Sequence, residues 1–317
     1  MACSLVLVFT LLNIFGLQRV ARVQNVLTGV KVLVLIAFIA LGFTIGNGNV
    51  AHYSMSATRE ATTSLTAQFA VSLVFVFVAY SGWNAATYVA EELRHPVRTL
   101  PMAMGIGTAL VTVLYIALNL VFIYAVPLEE LKGQEAVGAF AASRLFGPEG
   151  TGIFGGLMAL SLMSTVNAMV TVGPRVYYAM AGNGAFPSIA AKVHPRFHTP
   201  VAAIVAQGVC TMFMTLMPFL QLMQYIGITL NFFAAMSVAS LFIFRRRPGW
   251  QKLRIVSFCY PLFPVLFILV GVWVTIQGIM IIPYIALGTG LTIATGALVY
   301  HLRLRSRTPD SPVVETY

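Results

Sequence analysis

Charge is what this sequence has least of. Asp, Glu, Lys and Arg make up 9% of its 317 residues, against about 25% in an average soluble domain, so an ordinary globular protein is excluded. Carboxylates are the scarcest. They are Glu60, Glu91, Glu92, Glu129, Glu130, Glu135, Glu149, Asp310 and Glu315, all in loops, tails or helix ends. That inventory argues against a membrane-embedded enzyme working by acid–base catalysis. The five histidines, His52, His95, His194, His198 and His301, lie in loops or at span ends without metal-ligand spacing. Cys3, Cys210 and Cys259 sit in or beside apolar segments, with no spacing for a metal site or a disulfide framework, and are expected as buried structural thiols. No cofactor and no metal are expected. The N-terminus has no charged leader and no small-residue cleavage site, so it is a poor signal peptide.

What is abundant is hydrocarbon: 59% of the residues are hydrophobic. Apolar runs of spanning length fall at about 3–17, 27–46, 65–93, 101–126, 150–180, 200–219, 221–244, 256–277 and 279–302. The fold class expected is an all-α polytopic membrane protein with about nine transmembrane helices. It forms a single transmembrane domain over 1–302, followed by a polar tail at 303–317. The first run is short: its fifteen or so residues reach roughly 24 Å, less than the roughly 30 Å of a hydrocarbon core.

The net charge of +10 would suggest nucleic acid in a soluble protein, but its placement gives a simpler cause. Fifteen basic residues fall in alternate loops: Arg19 and Arg22; Arg94 and Arg98; Arg175, Lys192 and Arg196; Arg245, Arg246, Arg247, Lys252 and Arg254; Arg303, Arg305 and Arg307. The intervening loops hold three, Arg59, Lys132 and Arg144. The positive-inside rule puts the richer set, and with it the C-terminus, in the cytoplasm. No nucleic-acid partner is implied.

The run at 69–101, FAVSLVFVFVAYSGWNAATYVAEELRHPVRTLP, carries most information. It begins as an apolar helix and meets Ser81 and Gly82, then Trp83 and Asn84, and ends in Glu91 and Glu92 with Arg94, His95 and Arg98 close behind. A helix that breaks inside a bilayer frees backbone groups where no water can satisfy them, which is tolerated only beside a protein cavity. Discontinuous helices of this kind hold substrate in secondary transporters. The alternative is a Ser-Gly kink used for packing alone, since glycine is common in membrane helices.

Tyr80, Ser81, Gly82, Trp83 and Asn84, followed by Glu91, Glu92, Pro96, Arg98, Leu100 and Pro101, resemble the amino acid–polyamine–organocation permeases, nearest to the L-amino-acid transporter-like branch. The stretches 19–31 (RVARVQNVLTGVK) and 166–187 (VNAMVTVGPRVYYAMAGNGAFP) agree, as do Val193, His194 and Pro195 with Thr199 and Pro200. The resemblance implies a LeuT-like inverted-repeat fold of twelve helices, of which this chain supplies the fourth to the twelfth. The second repeat would span about 65–245. The first three helices, with the glycine-rich turn that takes the substrate carboxylate, would be missing. The expectation is therefore a fragment that does not transport alone.

By the same resemblance Val78, Ala79 and Ser81 bind the substrate's amino group through backbone oxygen, with Gly82 at the break and Trp83 and Asn84 flanking the pocket. Carbonyls at the end of a half-helix carry partial negative charge, which suits an ammonium. Lys31 lies one or two turns inside an apolar helix, and an ionisable residue there is a functional hypothesis by default. The resemblance makes its ammonium a surrogate for a sodium ion, with Ser161, Ser164 and Thr165 as partners. The alternative is a lysine whose stem snorkels to the headgroups. Asn231 either edges the pocket or makes a packing hydrogen bond between helices. Glu91 and Glu92 form an intracellular gate with Arg94 or Arg98, or else mark a solvated helix end.

The function implied is an amino acid permease of the cytoplasmic (plasma) membrane, working by alternating access and sodium-independent. A proton, an exchanged amino acid or nothing is co-transported. Its partners are the amino acid substrate and the lipid bilayer, and its oligomeric state is open. An amine or polyamine permease and a non-transporting membrane interaction subunit are the alternatives.

Overall fold

The computed structural model describes residues 2–15, 17–58, 64–197, 199–250 and 259–304. Among these residues ten α-helices follow one another: α1 (Ala2–Ile14), α2 (Leu17–Thr44), α3 (Leu65–Ala79), α4 (Pro96–Ala125), the single-turn α5 (Leu128–Leu131), α6 (Val137–Gly182), α7 (Val201–Met214), α8 (Phe219–Phe244), α9 (Leu262–Ile281) and α10 (Pro283–Val299). No strand occurs among the described residues. Six helical stretches there are long and apolar enough to cross a membrane: Gln24–Thr44, Pro96–Ala125, Val137–Gly182, Phe219–Phe244, Leu262–Ile281 and Pro283–Leu302. Three more are apolar but shorter: Cys3–Ile14, Leu65–Ala79 and Val201–Met214. The chain is an all-α polytopic membrane protein, and these nine helices match the nine apolar runs.

The ends of the elements have local causes. Ser64 caps α3, its hydroxyl accepting the Ala67 N–H. Prolines open α4 and α10, where a missing N–H costs no helical bond. Gly147, at φ 76° and ψ −172°, kinks α6, and Pro148 restarts it. Several runs differ from expectation; α4, for one, begins at Pro96, so Arg98 is helical. Helix α2 begins at Leu17, so Arg19 and Arg22 belong to a helix and not to a loop. Helix α6 begins at Val137, ahead of the kink, and not near residue 150.

The chain forms two compact units. The first comprises Met1–Glu60, Ala85–Gly182 and Pro187–Met212. Its core joins Phe38 of α2, Leu118 and Val121 of α4, and Ala141, Ala142, Leu145 and Phe154 of α6. The rings of Phe38 and Phe154 lie 4.2 Å apart. The second comprises Ala61–Asn84, Asn183–Phe186 and Phe213–Tyr317. Val74, Ile228, Val274, Ile282 and Ile285 form its core. Small residues permit its closest approaches: a Cβ on Gly227 would fall 2.6 Å from Val74 Cγ1, and one on Gly278 3.0 Å from Ile228 Cδ1.

Both units leave large apolar side chains uncovered, among them Leu33, Ile153, Met280 and Leu287. In water such surface would aggregate, whereas in a bilayer it meets lipid. The same surface corrects the reading of the cysteines: Cys3, Cys210 and Cys259 are all exposed, not buried. The tail after residue 304 lies outside the described residues, as does the stretch 251–258 with its basic residues Lys252 and Arg254.

Candidate functional site

In the second unit the apolar run at 69–101 stops being helical where its sequence changes. Helix α3 ends at Ala79. Tyr80 caps it with φ −89° and ψ 0°, its N–H donating to the Val76 carbonyl at 2.9 Å. The Ser81 N–H donates to the Val78 carbonyl at 3.0 Å, a tighter turn than the α-helical one. Gly82 then adopts φ 95°, a conformation that a Cβ would strain. A 3₁₀ run, Trp83–Glu92, follows. The break is therefore a change of helix type around one left-handed glycine.

Val78, Ser81, Gly82 and Asn84 are half-buried, while Ala79 and Trp83 are exposed. The Val78 carbonyl accepts from the backbone N–H groups of Ser81 and Tyr80 at the end of α3. Asn231, on α8 of the same unit, is buried. Its amide nitrogen donates to the Gly271 carbonyl at 2.8 Å and to Thr275 Oγ1 at 3.0 Å, both on α9. That is a helix-to-helix packing bond of the kind weighed from the sequence.

The first unit holds the lysine. Lys31 lies on α2, and its Nζ donates to Thr165 Oγ1 on α6 at 3.0 Å. Thr165 in turn reaches back to the Ser161 carbonyl at 3.4 Å. Ser161 and Ser164 do not meet the lysine in the same way. The Ser161 hydroxyl donates to Leu157 O at 3.0 Å, and Ser164 Oγ accepts from Gln24 Nε2 at 3.1 Å. Of the three expected partners, Thr165 is the one in contact.

Gln24 is the residue that sequence reasoning missed. It stands two turns before Lys31 on α2, and besides donating to Ser164 it accepts from Asn167 Nδ2 at 2.8 Å. A further polar pair continues along α6: Thr171 Oγ1 donates to Asn13 Oδ1 on α1 at 2.8 Å. Asn13, Ser164 and Asn167 are all buried. A signal was present in the seven-residue spacing of Gln24 and Lys31, which places both on one helix face.

The expected gate is only partly described. Arg94 and Arg98 are exposed, and the side chains of Glu91 and Glu92 lie outside the described residues. No cluster of His, Cys, Asp and Glu fit to hold a metal occurs among the described residues.

The profile of a family described as amino acid permease matches residues 1–300. The chain is 29% identical over 316 residues to the large neutral amino acids transporter small subunit 2 of Mus musculus, covering 95% of this chain and 57% of that protein. It is 28% identical over 310 residues to the b(0,+)-type amino acid transporter 1 of Mus musculus, covering 95% of this chain and 62% of the relative. With the serine/threonine exchanger SteT of Bacillus subtilis (strain 168) it shares 26% identity over 307 residues, 95% of this chain and 68% of the relative. The chain thus spans little more than half the length of the first of these curated relatives.

Proposed function

Since the chain belongs to the amino acid permease family, we propose that it serves the passage of amino acids across the plasma membrane by alternating access, without sodium. The observation that carries this reading is the helix break between Ala79 and Trp83. The carbonyl end of α3 presents partial negative charge at the break, and an α-ammonium is the part of an amino acid it attracts. Val78, Ala79 and Ser81 offer backbone oxygen to that group. Gly82 makes the turn, and Trp83 and Asn84 flank the substrate. Asn231 stiffens α8 against α9 in the same unit, through bonds that already use its amide nitrogen.

Lys31 acts as a fixed cation between α2 and α6. Its bond to Thr165 ties the two helices with a charge that a bound metal ion would otherwise supply. An amine can also lose its proton, so the tie can be made and broken in step with proton movement, as proton-coupled transport requires. Glu91 and Glu92 with Arg94 and Arg98 form the cytoplasmic gate, on the side where the basic loops and the C-terminus lie.

The test is uptake of radiolabelled amino acids into proteoliposomes, measured for these 317 residues and for any longer reading frame that contains them. The expected result is saturable uptake in at least one of these forms, indifferent to sodium and competed by unlabelled amino acids. Absence of saturable uptake in every form, or competition by amines lacking a carboxylate but not by amino acids, overturns it.

A further inference from the structure

Among the described residues, the cations of the second unit have no carboxylate to pair with. The sequence holds no Asp or Glu between Glu149 and Asp310. In the first unit two cations are matched: Lys132 pairs with Glu129 at 2.9 Å and Arg144 with Glu130 at 2.6 Å. At the end of α8 three arginines, Arg245, Arg246 and Arg247, stand in a row with no such partner among the described residues of their unit.

Two of the three are held in place by aromatic rings. The Arg245 guanidinium lies 3.8 Å over the ring of Tyr260, and its Nη1 is buried without a hydrogen-bond partner. Arg247 lies 4.8 Å over Phe244. Phe244 is itself stacked on Trp250 at 5.8 Å, after Gly249 turns the chain at φ 83°. Stacking engages the faces of guanidinium groups and not their edges, where the N–H donors are, and Arg246 and Arg247 are exposed, so their donors can meet another group. Membrane orientation alone needs only positive charge, which lysine would supply. Stacked arginines with unspent donors fit an oxyanion that accepts two parallel bonds.

We propose that the turn formed by Arg245, Arg246, Arg247 and Trp250 is a binding surface for the phosphate of an anionic membrane lipid. The turn closes a membrane-spanning helix, with Trp250 and Tyr260 beside it, the aromatic types found at headgroup level. The phosphates that pass within reach there are those of the bilayer itself. Clusters of arginine just outside a span attract anionic lipid. This surface depends on α8 spanning the membrane and not on transport.

The experiment uses the full chain, purified in a neutral detergent and titrated with phosphatidylglycerol or phosphatidylcholine, with retained lipid counted by native mass spectrometry. Phosphatidylglycerol is expected to be retained on the order of tenfold to a hundredfold more tightly. The preference should collapse as salt rises from about 0.1 M to about 1 M. The R245Q/R246Q/R247Q variant should lose it, and K192Q/R196Q should keep it. R245K/R246K/R247K preserves the charge that orients the helices and should weaken retention several-fold. No preference in the parent chain, or an unchanged preference in either arginine variant, overturns the assignment. Displacement of the lipid by an equal concentration of inorganic phosphate also overturns it, because the site would then select the free ion. Uptake assays do not enter this test, so its failure leaves the permease reading standing.

Discussion

Asn167 on α6 donates its side-chain amide to Gln24 on α2 at 2.8 Å, and Gln24 donates onward to Ser164 at 3.1 Å. Asn167 is 2% exposed, so its end of the first bond is shut off from water. Asn167→Ala therefore strands the Gln24 carbonyl oxygen in an apolar setting. The cost is about 1 kcal/mol, in the range found for polar contacts between membrane helices. Thermal unfolding in detergent should show a fall of a few degrees. Gln24→Leu added to Asn167→Ala should cost less than the two separate losses summed, because the stranded group is gone. Strict additivity would mean that the two side chains do not interact.

Gly227 sets how close α3 and α8 come in the second unit. A Cβ there would meet Val74 Cγ1 at 2.6 Å, Val78 Cγ2 at 2.8 Å and the Val74 carbonyl oxygen at 3.2 Å. Gly227→Ala is expected to destabilise by about 1–3 kcal/mol through overpacking. Since Val78 leads directly into the break, the substitution should also reduce uptake. Val74→Ala removes the nearest atom and should restore part of both losses. A single variant as stable as the parent would show that the helices separate freely here.

The break itself makes a separate prediction. Gly82 has φ 95°, where a side chain costs about 1–2 kcal/mol. Gly82→Ala should lower thermal stability by that amount and lower uptake. Ser81→Ala, which leaves the backbone path alone, should change uptake far less, because the groups assigned to the substrate are backbone oxygens. A loss in Ser81→Ala equal to that in Gly82→Ala would place the chemistry on the serine hydroxyl.

Much of this was legible in the sequence because each signal was local. Nine apolar runs gave nine apolar helices, and Ser81 with Gly82 marked the end of α3 within two residues. The starts of α2 and α6 were not legible. Arg19, Arg22 and Arg144 look like loop charges, and Gly147 with Pro148 looks like a terminus when it is a kink. The exposure of Cys3, Cys210 and Cys259 was hidden for a different reason. Lipid is as apolar as a protein core, so hydropathy cannot say which of the two a thiol faces. Gln24 and Asn167 are 143 residues apart, and no periodicity reports a contact at that distance.

Lys31 and Thr165 decide whether the lysine is part of the mechanism. Lys31→Met removes the donor, and Thr165→Val removes the acceptor while keeping the shape. A hydrogen bond from a charged group is worth about 1.5–3 kcal/mol, so either change should slow uptake on the order of tenfold to a hundredfold. Lys31→Met should also flatten the dependence of uptake on pH. A lysine that merely snorkels toward headgroups would leave the rate and the pH profile unchanged, and the measurement of both separates the cases.

Glu129 offers a pH test away from the spans. Lys132, hydrogen-bonded to its carboxylate at 2.9 Å, holds that carboxyl below the ordinary carboxylate range, and the Thr58 N–H, donating at 2.8 Å, adds to the effect. A carboxyl whose folded pKa is lowered contributes its stabilisation fully above the ordinary pKa, and loses it as pH falls through the lowered value. Protection of the Thr58 amide against hydrogen exchange should therefore persist at neutral pH and disappear in acid, below the usual carboxylate range. Glu129→Gln should abolish the pH-dependent part. Because the carboxylate is exposed, raised salt should weaken the contact even at neutral pH. Protection that ignores both pH and salt would assign the ordering of this loop to the backbone alone.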